Sequence, residues 1–244
     1  MREWITEITK VIFNVQTGLF KYNKGQHDMS YFINSKAGVN FPDFEHLGFF
    51  RFAGSVLAKA LFEKIPVLPR LSKALLCTLV TPFLDKSSKS HQDNGYTIDD
   101  LKDLDYQIYK SVAYIVQDPT LDEDTLNEFN FTVLNHKGEE VELIEDGADT
   151  KVCMANRQLY GTLVARYYLY DEVKDELRAF IEGFHDVIPP EVIAIFDTDE
   201  LDLIMGGIPL IDVEDWRAHT EYGGRFHSKH QVISWFWEIL LKLS

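Results

Sequence analysis

Phe180-Ile181-Glu182-Gly183-Phe184-His185-Asp186-Val187-Ile188-Pro189-Pro190 opens a run of helix signals near the end of this 244-residue chain. The run continues through Ile195-Phe196-Asp197, Glu200-Leu201-Asp202-Leu203-Ile204-Met205-Gly206-Gly207, Ile211-Asp212-Val213-Glu214-Asp215-Trp216 and Thr220-Glu221-Tyr222. It closes on Gln231-Val232-Ile233-Ser234-Trp235-Phe236-Trp237. Pro190 suits a first helical turn, where the N–H it lacks would be unpaired anyway. Asp197 with Glu200 marks a second helix start, and Gly206 or Gly207 can stop that helix in the left-handed conformation. Ser228 with Gln231 reads as a capping box for the last helix. There Val232, Trp235, Phe236, Ile239, Leu240 and Leu243 share one face at helical period. That face is expected to be buried, with Trp235 in the core. Ile233, Trp237 and Leu241 form a second apolar row.

Working back toward the amino terminus, residues 173–184 and 156–170 read as helices, the latter carrying Tyr160, Leu163, Val164, Tyr167 and Tyr168. Residues 129–134 and 140–143 flank Asn135-His136-Lys137-Gly138 as a hairpin. Residues 106–116 form a helix with Ile108, Val112 and Ile115 on one face, and 97–101 form a shorter one. Residues 85–95 are polar and turn-rich, an exposed loop. A helix is expected at about 71–79. The clearest early helix spans 45–63, where Gly54 with Ala53, Ala58 and Ala60 would let another helix approach closely. Tyr31-Phe32-Ile33 reads as a short strand before a turn at 34–38, and residues 2–14 as an amphipathic helix. Helices at both ends with one hairpin between them give an α+β, mostly helical protein.

Several of these segments, in order and spacing, resemble the amino-terminal lobe of a HECT-type ubiquitin-protein ligase domain. They are Arg2-Glu3-Trp4, Gly18-Leu19-Phe20, Ile33-Asn34, the run from Phe50 to Gly54, and the whole 183–237 series quoted above. The resemblance implies a large helical subdomain at about 1–106 and 173–244 and a small α/β-hairpin subdomain at about 107–172. The small one would dock a ubiquitin-conjugating enzyme. It also implies a catalytic cysteine on a separate carboxy-terminal lobe, beyond Ser244. The role implied is to hold the loaded enzyme while ubiquitin passes to that cysteine and then to a substrate lysine. Substrates would be chosen by regions outside this chain. The alternative is a catalytically inactive interaction domain using the same groove.

Matched residue by residue, the implied docking groove takes Ile108, Val112 and Ile115 from one helix, Tyr160 and Val164 from another, and Phe129 from the neighbouring strand. Periodicity alone reads these residues as the core of the small subdomain; the resemblance makes Tyr160 and Val112 groove residues. A groove of this kind works through one apolar anchor in a dry pocket.

Composition narrows the rest. A 45% hydrophobic and 26% charged chain is ordinary for a globular protein. A net charge of −15 argues against nucleic acid and anionic membranes. Cys77 and Cys153 have no paired spacing, so neither a disulfide nor a zinc site is indicated. Neither sits in the family's catalytic motif. There is no signal-peptide core and no run near the roughly 18 apolar residues of a membrane helix. A reducing compartment follows, the cytoplasm or the nucleus. No cofactor is expected. His227 and His230 straddle a helix start and lack the partners of a metal site. The acid-rich region 99–124 reads either as guidance for a basic partner surface or as a solvated face with helix-starting acids.

Overall fold

The computed structural model describes residues 2–25, 30–41, 45–67, 69–81, 96–207 and 213–243. The exposed loop expected at 85–95 and the motif residues Ile211 and Asp212 lie outside them. The chain divides into two compact units, Met1–Gly206 and Gly207–Ser244.

The first unit contains α1 (Arg2–Ile12), β1 (Phe20–Tyr22), β2 (Tyr31–Ile33), α2 (Ala37–Asn40), α3 (Glu45–Phe62), α4 (Lys73–Val80), α5 (Leu101–Leu104) and α6 (Tyr106–Gln117). It continues with α7 (Glu123–Leu126), β3 (Thr132–Leu134), β4 (Glu140–Glu142), α8 (Arg157–Leu169), α9 (Lys174–His185), α10 (Pro190–Ile193) and α11 (Thr198–Gly206). Mostly helical α+β is therefore the fold class, with two small antiparallel pairs, β1–β2 and β3–β4.

Helices α3 and α9 make the central pair, and glycine sets their separation. A Cβ on Gly183 would lie 1.9 Å from the Arg51 carbonyl oxygen, and one on Gly54 would lie 2.0 Å from that of Phe180. Only two bare backbones can approach this closely. Ser55 Oγ spans the crossing by donating to the Gly183 carbonyl at 2.9 Å. Arg51 closes one end on Asp186 at 2.8 Å. At the other end His46 Nε2 faces Glu176 at 3.2 Å. Phe20 of β1 stands edge-on to Phe50 and Phe180, at 5.4 and 6.0 Å, which ties the small sheet to the helical pair.

Local side chains set several helix ends. Ser72 Oγ accepts from the Leu75 N–H and starts α4. Asp197 and Glu200 cap α11 reciprocally, at 2.8 and 2.9 Å. Gly207 follows α11 at φ +80°. The β3–β4 hairpin is shorter than the sequence pattern suggests. The Phe131 carbonyl still accepts from Leu143, one step beyond β4, whereas the Phe131 N–H donates to the Gly147 and Thr150 carbonyls and the Phe129 carbonyl accepts from Val152, all after the hairpin. Strand β1 was not signalled by the sequence pattern.

The second unit holds α12 (Val213–Ala218) and α13 (Gln231–Leu243). Here the structure corrects two readings. Trp237 is 2% exposed while Trp235 is 54% exposed, so the second apolar row, not the first, supplies the buried indole. Trp237 is enclosed edge-on by Trp216 at 5.4 Å and Phe236 at 5.0 Å, and its Nε1–H donates to the Tyr222 hydroxyl at 2.9 Å. The start of α13 is also set differently. His230 Nδ1, not Ser228, accepts the Val232 N–H at 3.3 Å.

Candidate docking site

The candidate groove is built on α6 and α8. Asp105 fixes where α6 begins: its Oδ1 accepts from Gln107 and Ile108 at 2.9 and 3.3 Å. That start turns Val112 and Ile115 inward, since positions three and four apart share a face. On α8, Gly161 allows the contact. A Cβ there would lie 2.6 Å from Val116 Cγ2 and 3.7 Å from Val112 Cγ1. The pattern of α6 foretold its inward face, but nothing in the sequence marked Gly161 as the meeting point.

Val112, Ile115, Tyr160 and Val164 are buried. Ile108 and Phe129 are only half-buried and pack against the same core. Tyr160 stands edge-on to Phe131 at 5.5 Å, a residue the sequence reading did not place there. Burial pushes the Tyr160 phenol pKa up, so it stays protonated across the physiological range. The arrangement is thus an apolar layer with two side chains partly presented to solvent. Because Tyr160 is a core aromatic, its truncation is expected to cost about 3–5 kcal/mol of stability, and Ile108 and Phe129 are the better probes of surface contact.

The acids around the site have local work. Asp118 accepts from the Thr120 hydroxyl and N–H at 2.6 and 2.8 Å, which holds its carboxyl below the usual range. Asp122 caps α7 through the Thr125 N–H at 2.9 Å, and Asp100 accepts from Thr97. Glu123 accepts the Met154 N–H at 3.2 Å. These bonds favour the helix-starting reading of the acid-rich region over a field aimed at a partner.

Cys77 is exposed on α4, with its Sγ 3.8 Å from Thr81 Oγ1. Cys153 is half-buried before α8, and its backbone N–H donates to Asn156 Oδ1 at 2.7 Å. The rings of His227 and His230 lie 5.7 Å apart. Among the described residues no group of three or more His, Cys, Asp or Glu is placed to hold a metal ion, and no helix is long and apolar enough to cross a membrane.

The motif series, the mostly helical frame and the α6–α8 layer define one class of protein. Residues 6–244 match the family model of the HECT-domain (ubiquitin-transferase), and the chain belongs to that family. The resemblance to its amino-terminal lobe stands with it. Among individual proteins, it is 32% identical to the rat E3 ubiquitin-protein ligase NEDD4 over 244 residues, 99% of this chain and 26% of that protein. It is also 32% identical to the Drosophila E3 ubiquitin-protein ligase Nedd-4, across 100% of this chain and 22% of the relative. Yeast E3 ubiquitin-protein ligase RSP5 is 28% identical over 240 residues, 97% of this chain and 27% of the relative. The chain thus spans about a quarter of the length of these relatives.

Proposed function

We propose that this chain docks a ubiquitin-conjugating enzyme and positions its bound ubiquitin for transfer to a cysteine on a carboxy-terminal lobe beyond Ser244, and from there to a substrate lysine. Its contribution to rate is positioning: two reactants held together react as one. Family membership carries the reading. The half-buried pair Ile108 and Phe129, backed by Val112, Ile115, Tyr160 and Val164, supports placing the contact on residues 107–172. An apolar anchor from the partner would complete that layer. Ubiquitin itself and protein substrates are the other partners, met in the cytoplasm or nucleus.

The direct test is titration of a panel of conjugating enzymes with the wild-type chain and with Ile108→Ala/Phe129→Ala, circular dichroism confirming that both are folded. Removal of a central apolar contact is expected to cost about 2 kcal/mol, roughly a thirtyfold rise in Kd. Equal binding by the folded variant removes these residues from the site. Failure of the wild type to bind any of a broad panel removes the docking role.

A second expectation concerns the thiols. The chain by itself should form no ubiquitin thioester, because neither Cys77 nor Cys153 lies in the family's catalytic motif. Incubation with activating enzyme, conjugating enzyme and ubiquitin, followed by a non-reducing gel, should show no reducible adduct. An adduct that disappears with Cys77→Ser or Cys153→Ser would place the acceptor within this chain.

A further inference from the structure

Three segments of the first unit, remote in sequence, close on a small cavity of about 40 Å³. Backbone bonds hold them together. The Asn23 N–H donates to the Ser30 carbonyl and the Ser72 N–H to the Tyr31 carbonyl, both at 2.9 Å. One residue beyond Asn23, the Lys24 N–H donates to the Leu104 carbonyl at 2.9 Å. A Cβ on Gly25 would lie 2.6 Å from the Asp103 carbonyl oxygen, so the two backbones are in contact there. The cavity is lined by Asn23, Ser72, Lys73, Asp100, Asp103 and Leu104, with Ala74 beside them.

Its floor carries an acceptor with nothing to accept. Asn23 is only 9% exposed, and its Nδ2 donates to Ser30 Oγ at 3.0 Å. Its buried Oδ1 has no hydrogen-bond partner among the described residues, an arrangement that costs stability unless a water or an ion supplies one. Two acids stand beside it. Asp100 uses only Oδ2, on the Thr97 N–H and hydroxyl. Asp103 makes no hydrogen bond or ion pair among the described residues. The nearby cations are committed elsewhere: Lys73 Nζ pairs with Asp199 at 2.8 Å, in a mostly exposed bridge, and Lys102 Nζ with Asp99 at 2.8 Å. Asp103 attracts Lys73 less than Asp199 does. A water would satisfy Asn23 Oδ1 but leave two carboxylates repelling each other; a cation answers all three groups. Oxygen ligands without nitrogen or sulfur select a hard cation. An irregular set of side chains completed by water suits calcium, which tolerates variable geometry, better than magnesium, which demands an octahedron.

We infer that this cavity binds a calcium ion through Asn23 Oδ1 and the carboxylates of Asp100 and Asp103, with water completing its shell. Only two acids take part; the buried amide oxygen is the third ligand. The ion ties the end of β1 to the residues that start α4 and α5. The site lies apart from the α6–α8 layer, and its test uses no conjugating enzyme.

Calorimetric titration of the calcium-free 244-residue chain with calcium chloride and with magnesium chloride decides it. A background of about 0.1 M potassium chloride screens loose attraction to the acidic surface. One saturable site is expected for calcium, at least about tenfold tighter than for magnesium. Asp103→Asn, an exposed change of charge at constant shape, should weaken calcium about tenfold, and Asn23→Ala by a similar factor. Asp124→Asn, an exposed acid on α7, should leave it unchanged. Circular dichroism checks folding, and Asp103→Asn carries the test if Asn23→Ala does not fold. No saturable calcium binding leaves an ordered water in the cavity and overturns the ion. Unchanged affinity in folded Asp103→Asn, or an equal loss in Asp124→Asn, overturns the site. Equal affinity for magnesium overturns calcium as its ligand.

Discussion

Gly183→Ala should lose at least about 3 kcal/mol of stability, at the upper end of overpacking costs. The added Cβ would lie 1.9 Å from the Arg51 carbonyl oxygen and 2.6 Å from the Arg51 carbonyl carbon. Both are backbone atoms in the middle of α3, so no rotamer change relieves the clash. The helices must separate, and the Ser55 bond to the Gly183 carbonyl at 2.9 Å stretches with them. Gly54→Ala meets the Phe180 carbonyl at 2.0 Å and should behave alike. At about 2–4 °C per kcal/mol for a chain of this size, Tm should fall by about 6–12 °C. Gly48→Ala is the matched control. It lies in the same helix, is exposed, and has nothing within 4 Å of its added methyl. Helix propensity alone predicts a gain of up to about 1 kcal/mol there. A Gly183→Ala chain that melts with the wild type would show that α3 and α9 do not cross this closely.

The second large effect separates two tryptophans two positions apart. Trp237→Ala should cost about 3–5 kcal/mol in the unit Gly207–Ser244, as for a large aromatic removed from a core. It also leaves the Tyr222 hydroxyl without the indole donor at 2.9 Å. Trp235→Ala, at a site 54% exposed, should stay within about 0.5 kcal/mol. Amide hydrogen exchange across 231–243 reads this locally. Protection of α13 should collapse in Trp237→Ala and persist in Trp235→Ala. The reverse order would restore the face that periodicity chose.

That pair shows where sequence reasoning stops. In α13 apolar residues occupy more than one face, so a period of 3.6 identifies a helix without choosing its buried side. The choice came from what packs against it: Trp216 of α12 and the Tyr222 hydroxyl are placed by the chain's return, which no local pattern encodes. Cap choice at its start followed the same logic. Ser228 and Gln231 have the spacing of a capping box, yet His230 is the residue adjacent to the first turn, and its ring nitrogen reaches the free N–H first.

By itself the sequence determined the helices with strong periodicity or local stops: α3, α6, α8, α9 and α11, the last through the Asp197–Glu200 exchange of hydrogen bonds. It also carried enough ordered motifs to resemble its family before any contact was known, because motif order is a property of the chain alone. Tertiary structure decided what depends on distance between remote segments. It paired Gly54 with Gly183, set Gly161 against α6, and turned Val112, Ile115, Tyr160 and Val164 inward while leaving Ile108 and Phe129 half in solvent. It gathered Asn23, Asp100 and Asp103 around one cavity. The physical reason is common to all of these. Backbone hydrogen bonds and caps act within a few residues, whereas burial and close backbone approach are settled only when segments remote in sequence meet.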